Sequence, residues 1–263
     1  MGVVPVAILP TERASSFVLT IDGRPQSCVD LAEPERLEFD YVRRIGDVLD
    51  AWSVPGAPAR VLHVGGGAMT IPRYVASTRP GSSQIVLEPA TEVTELVRRE
   101  LPLPRRSGVK VRPVDGRTGL DELRSGSVDL VVVDAFAAGR VPGELVTAEC
   151  GAAYARVLAG RGLLLLNLVD AAPFAWTRRV VAAIRESLPF LMLSAEPATL
   201  RARRPGNVLL VAGLAGVPVA ELAARAATGG APYRVLDGRR VSDTVGGGQA
   251  FRDGDAVDGP VSM

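Results

Sequence analysis

Five short, almost unbroken apolar runs constrain this chain more than any other feature: RVLHV (60–64), QIVLE (84–88), VKVRPV (109–114), VDLVVVD (128–134) and GLLLLNLV (162–169). A strand with one wet face alternates apolar and polar residues, so a continuous run means that both faces are covered. Between the runs lie stretches of helical character, around residues 70–79, 91–100, 117–124 and 145–158. Strand, turn and helix in repetition predict an α/β chain whose parallel sheet carries helices on both faces. A further helix is expected over 174–187, and PFLMLSAE (189–196) and NVLLVAG (207–213), joined by the Arg-rich turn RARRPG, read as a closing antiparallel pair. The expectation is a mostly parallel seven-stranded sheet whose last strand is antiparallel.

Before the sheet, FVLTIDGRPQSCVDL (17–31) sets two extended runs around Asp22-Gly23, a strong hairpin signal. Leu37, Tyr41, Ile45, Val48, Leu49 and Trp52 then recur at helical spacing until SVPGAPA breaks the pattern. After residue 216 one Ala-rich helix and a Gly- and Asp-rich, flexible tail are expected. The chain so divides into a hairpin and helix (1–55), a sheet domain (56–216) and a C-terminal helix and tail (217–263).

Thirty basic and 29 acidic residues leave a net charge of +1, so no global field draws the chain to nucleic acid or an anionic membrane. No apolar run approaches the roughly 18 residues that span a bilayer, and MGVVPVAILP lacks the charged start and cleavage site of a secretory signal. A soluble cytoplasmic protein with neither nucleic-acid nor membrane partners is expected. One His and two distant Cys, Cys28 and Cys150, leave almost nothing for a multi-His metal site, a Cys-pair metal site or a His-dependent triad, and no metal is expected. His63, inside the first apolar run of the sheet, reads as a core residue.

The functional candidates sit where the runs end. Gly65, Gly66 and Gly67 follow the first of the five runs and precede a helix, where a doubly wound sheet binds an adenosine-containing ligand. A dinucleotide fingerprint would need a third glycine at position 70, which is Thr70. Glu88 ends the second run, where an acid accepts hydrogen bonds from ribose hydroxyls; nicotinamide and S-adenosylmethionine enzymes share that feature. Asp115-Gly116 ends the third run, where a carboxylate can accept from an adenine amino group, and Asp134 ends the fourth. Glycine turn, Glu, Asp and Asp at four successive strand ends is the layout of a Rossmann-like S-adenosylmethionine-binding fold.

From about residue 17 to 213 the chain resembles the spermidine synthase (polyamine aminopropyltransferase) family. The likeness is carried by LTIDGRPQS with Gln26, the helix bearing Tyr41, VLHVGGG, Glu88, Asp115-Gly116, VVVDAFAAGRVP and LVTAECGAAYARVLAGRGLLLLN. The hairpin gives it specificity, because ordinary methyltransferases share the sheet motifs without it. The resemblance implies transfer of an aminopropyl group from decarboxylated S-adenosylmethionine to an amine, with Asp134 as base. It implies Gly65, Gly66, Gly67, Glu88, Asp115, Gly116, Asp134 and Ala135 around the donor, and Gln26, Tyr41 and Phe136 near a small-molecule acceptor. It also implies a homodimer.

Two carboxylates that the family uses for cations are absent. The turn that usually reads GGGDGG here continues into Ala68, and the second Asp of the loop after the fourth run is replaced by Ala137, while Arg140 enters that loop. A like charge about 4 Å from a diamine costs on the order of 4 kcal/mol at an effective dielectric of 20. Three readings follow: an aminopropyltransferase with an altered acceptor or weak activity; a methyltransferase that uses the space at Ala68 for the carboxylate of intact S-adenosylmethionine; or a non-catalytic nucleoside-binding homologue.

Overall fold

A computed structural model describes residues 5–228 and 233–262. The expected hairpin forms, and a preceding strand joins it: β1 (Val6–Pro10), β2 (Ser16–Ile21) and β3 (Arg24–Asp30) make an antiparallel sheet in that order. Asp22 and Gly23 between β2 and β3 have φ of 53° and 70°, the double left-handed turn whose twist matches the strands it joins. Helix α1 (Asp40–Ala51) follows and buries Ile45, Val48 and Leu49.

The main sheet begins with β4 (Arg60–Val64), α2 (Thr70–Thr78), β5 (Ser83–Leu87), α3 (Thr91–Glu100) and β6 (Val109–Arg112). It continues through α4 (Gly116–Asp121), β7 (Val128–Val133), α5 (Ala148–Val157), β8 (Leu158–Asp170) and α6 (Ala175–Arg185). Then come β9 (Phe190–Ala195), a short α7 (Pro197–Leu200), β10 (Gly206–Gly213), α8 (Val219–Thr228), β11 (Arg234–Leu236) and α9 (Gly238–Val245). The strand order is β11-β9-β10-β8-β7-β4-β5-β6. The seven expected strands are β4 to β10, with β10 antiparallel to both neighbours. An eighth, β11, pairs antiparallel with β9 at the edge; its three residues are too few to register as a pattern.

The apolar runs are continuous because alternate residues feed opposite cores. Val131, Val133, Leu164 and Leu166 join the layer of α5 and α6, whereas Leu130, Val132, Leu163 and Leu165 join that of α1 and α2. A third cluster, with Leu19, Val29, Val86 and Val97, seats the N-terminal sheet against β5 and α3.

The segment after 216 departs from the flexible tail expected for it. Beyond α9 it crosses the molecule with Phe251 at 1% exposure in the main core and Arg179 stacked 3.8 Å over its ring. Ala148 donates its amide to the Phe251 carbonyl at 2.9 Å. One aromatic and backbone-directed hydrogen bonds hold a stretch whose composition is polar. Residues 229–232 and 263 of that tail lie outside the described residues. Among the described residues no helix is long and apolar enough to cross a membrane.

Candidate active site

The carboxyl ends of β4, β5, β7 and β8 open into a cleft of about 640 Å³. Gln26, Tyr41, Gly65, Gly66, Gly67, Glu88, Asp115, Gly116, Asp134, Ala135 and Phe136 all line it. The sheet topology explains this convergence: parallel strands end at one edge, so residues far apart in sequence meet there.

The glycine turn is shaped by its neighbours. Gly65 has φ +92°, and a Cβ there would lie 2.3 Å from the Asp134 carbonyl oxygen, so only glycine fits. Asp134 in turn donates its amide to the Val64 carbonyl at 2.9 Å. The turn and the acid are thereby locked together at adjacent strand ends. Glu88 accepts from the Gly66 and Ala90 amides, each at 2.9 Å, which fixes its carboxylate against the turn. Asp115 caps α4 by accepting from the Thr118 amide at 2.8 Å, and that bond holds its pKa below the usual carboxylate value.

Asp134 shifts in the opposite direction to Asp115. Burial raises its pKa above 3.8, opposed by the hydrogen bonds that Asn167 and Tyr41 donate to it. Asn167 Nδ2 approaches Oδ1 at 2.8 Å, and the Tyr41 hydroxyl approaches Oδ2 at a longer 3.5 Å. Tyr41 itself stays protonated, its pKa pushed well above 10 by burial and then by the Asp134 charge. The chain of contacts continues: Asn207 Nδ2 donates to Asn167 Oδ1 at 3.0 Å. Beneath it the buried Arg44 donates to the carbonyls of Ser194 at 2.8 Å and Asn207 at 3.2 Å.

Asn167 and Asn207 were not among the sequence candidates. The one signal for Asn167 is a polar residue inside LLLLNLV; Asn207 gains meaning only once β10 lies beside β8. Glu196, Arg204 and Ser262 also line the cleft, from the two ends of the β9–β10 connection and from the C-terminal tail.

Two expectations change, for Ala68 and Arg140, and Ala137 gains a structural setting. Ala68 is fully buried beside Leu19, Val29 and Met69 and does not line the cleft, so its small side chain opens no room for a ligand. Arg140 turns away and donates to the Gly259 carbonyl at 2.8 Å. Ala137 lines the cleft in a tight turn closed by reciprocal backbone bonds with Arg140 of 2.8 and 3.0 Å.

His63 is a core residue, 2% exposed, with Nε2 2.9 Å from Gln84 Oε1. Burial lowers its pKa from 6.5 to about 4. The unfolded chain therefore takes up a proton that the folded chain refuses as pH falls through that window. Stability is expected to decline from pH 6.5 toward 4 by on the order of 3 kcal/mol, and His63→Gln to flatten that limb. Urea titrations at several pH values check this; an unchanged acid limb in the variant would assign it to other groups.

Fold and cleft together define a methyltransferase-like α/β architecture with an added N-terminal β-sheet. The fold is shared with human methyltransferase-like protein 13 solved with SAH (TM-score 0.54, 20% identity, 66% of this chain and 79% of that one). No family model matches the chain. Its likeness in sequence is to spermidine synthases: it is 26% identical over 159 residues to the polyamine aminopropyltransferase of Vibrio vulnificus (strain CMCP6), covering 59% of this chain and 52% of that protein. The chain thus spans about half the length of the curated relative it matches. A probable spermidine synthase from Corynebacterium glutamicum ATCC 13032 is similar throughout, with a TM-score of 0.87 and 27% identity over 98% of this chain and 95% of that one. The resemblance read from the sequence stands.

Proposed function

We propose that the chain is an aminopropyltransferase that moves an aminopropyl group from decarboxylated S-adenosylmethionine to an amine. One observation carries this reading: the N-terminal sheet and α1 deliver Gln26 and Tyr41 to the same cleft as Asp134, a wall that the methyltransferase fold does not by itself supply. The likeness to spermidine synthases over nearly the whole chain supports it.

The residues suit the donor. Gly65 to Gly67 leave a wall without side chains, and Glu88 is anchored at the place of ribose hydroxyls. Asp115 and Gly116 border the place of an adenine ring, and Ala135 packs beside it. When bound, the donor supplies a carbon already activated by its sulfonium. The acceptor amine, with an ordinary pKa near 10, must lose a proton to become a nucleophile. Asp134 orients that amine and takes the proton, with Asn167 holding its carboxylate and Gln26, Tyr41 and Phe136 bounding the acceptor. The methyltransferase alternative relied on space at Ala68, which Leu19, Val29 and Met69 surround.

Calorimetric titration with decarboxylated S-adenosylmethionine, its intact form and methylthioadenosine tests the reading. Preference for the decarboxylated donor is expected. Preference for the intact form would overturn it in favour of methyl transfer, and binding of none would leave a non-catalytic fold. We extend the proposal to a cytoplasmic homodimer joined through the N-terminal sheets, supported by the outer strand β1 with Leu9 50% exposed; a monomer by light scattering would remove the dimer.

A further inference from the structure

The far end of the cleft carries a charge pattern that a simple diamine does not match. Glu196 follows β9 and Arg204 precedes β10, and the two form an ion pair at the cleft wall. Among the described residues that line the cleft, Arg204 is the one cation. β9 runs parallel to β8, because both are antiparallel to β10, so Glu196 lies at the same sheet edge as Asp134. The strand order puts three interstrand spacings between them, roughly 14 Å between backbones, which the reach of both acids shortens to a short alkyl chain.

We propose that the acceptor is an α-amino acid with a terminal side-chain amine, its amine presented to Asp134 and its zwitterionic head exchanged into the Glu196–Arg204 pair. This rests on the aminopropyl-transfer reading and names the acceptor class for it. A diamine would meet a pair whose charges already cancel, and drawing Glu196 to its second ammonium would leave Arg204 facing that cation. A zwitterionic head replaces each partner one for one: its ammonium on Glu196, its carboxylate on the guanidinium fork, which matches a carboxylate in two parallel hydrogen bonds. The pair opens readily, since Arg204 is 60% and Glu196 28% exposed in their side chains, and exposed ion pairs contribute little to stability. The turn that presents Arg204 is fixed: Arg203 donates to the Ala198 carbonyl at 2.9 Å, and a Cβ on Gly206 would meet Thr199 Oγ1 at 2.3 Å. In the step itself the terminal amine's lone pair forms the N–C bond as the C–S bond breaks. The electron pair goes to sulfur, giving neutral methylthioadenosine, and the excess N–H proton goes to Asp134 and then to water.

The test compares ornithine with putrescine, which differ by one carboxylate, as acceptors for decarboxylated S-adenosylmethionine. Ornithine is expected to show the higher kcat/KM by about tenfold or more, and Arg204→Ala to lower ornithine turnover by about a hundredfold while raising that of putrescine. Preference of the parent protein for putrescine, or equal losses on both acceptors in the variant, overturns the proposal. Donor binding with neither acceptor used also overturns it and leaves the transfer reading intact. Failure to bind the donor brings down the transfer reading itself.

Discussion

Asp134→Asn is expected to cut transfer by about a thousandfold while leaving the affinity for decarboxylated S-adenosylmethionine within about threefold. The side chain lies against the Asn167 amide at the end of β7, and an amide of the same shape keeps the backbone bond to Val64 that holds the glycine turn. What it loses is the negative charge and the site for the acceptor's proton. Glu88→Ala provides the contrast: its carboxylate is tied to the Gly66 amide, so its removal weakens donor binding first, by about tenfold or more. Isothermal titration with steady-state kinetics separates the two. Normal turnover by Asp134→Asn would mean that another group, or water, accepts the proton. In the parent protein the raised pKa of Asp134 adds a sign: the base is lost as pH falls through that pKa, so transfer declines on the acid side sooner than an exposed aspartate would allow.

The parts of this molecule that were legible in sequence are those that repeat a local rule. Continuous apolar runs announced the sheet because strands covered on both faces have no polar side to display, and the alternation of Leu130 and Val132 with Val131 and Val133 between the two cores is visible only in their burial. Gly65 to Gly67, Glu88, Asp115 and Asp134 were legible because each ends a strand at the edge where a parallel sheet binds ligands. The network behind Asp134 was not, since Asn207 reaches Asn167 only through the pairing of β10 with β8, a register that no local pattern specifies. Glu196 and Arg204 were hidden for the same reason: their meaning comes from the direction of β9. The tail was misjudged on composition, because a polar segment can be held by a few buried contacts and by donors from elsewhere in the fold.

That tail is the basis of the second large effect. Phe251 is 1% exposed in the main cluster, beside Trp176 at a ring separation of 6.2 Å. Phe251→Ala is expected to lower stability by about 3–5 kcal/mol, a large share of the 5–15 kcal/mol typical of a folded chain, and to show as a clear drop in Tm. Past Phe251 the tail binds the loop that follows Asp134. Ser262 donates to the Gly139 carbonyl at 2.7 Å, Gly259 to Val141 at 2.9 Å, and the Gly143 amide to Asp258 Oδ1 at 2.9 Å. Trp176 Nε1 donates to the Val257 carbonyl at 2.9 Å. A chain ending at Asp255 keeps Phe251 and loses all four of these bonds. Its Tm is expected to fall much less than that of Phe251→Ala, while the acceptor KM rises by about tenfold and donor affinity holds, because the freed loop carries Phe136 and Ala137, on the side proposed for the acceptor, rather than the glycine turn. A shortened chain with the parent's acceptor KM would reduce this segment to a cover for the core. A rise confined to the acceptor would make residues 256–262 part of the site's wall, doing by fixed contacts what a loop of alanines and glycine could not hold alone.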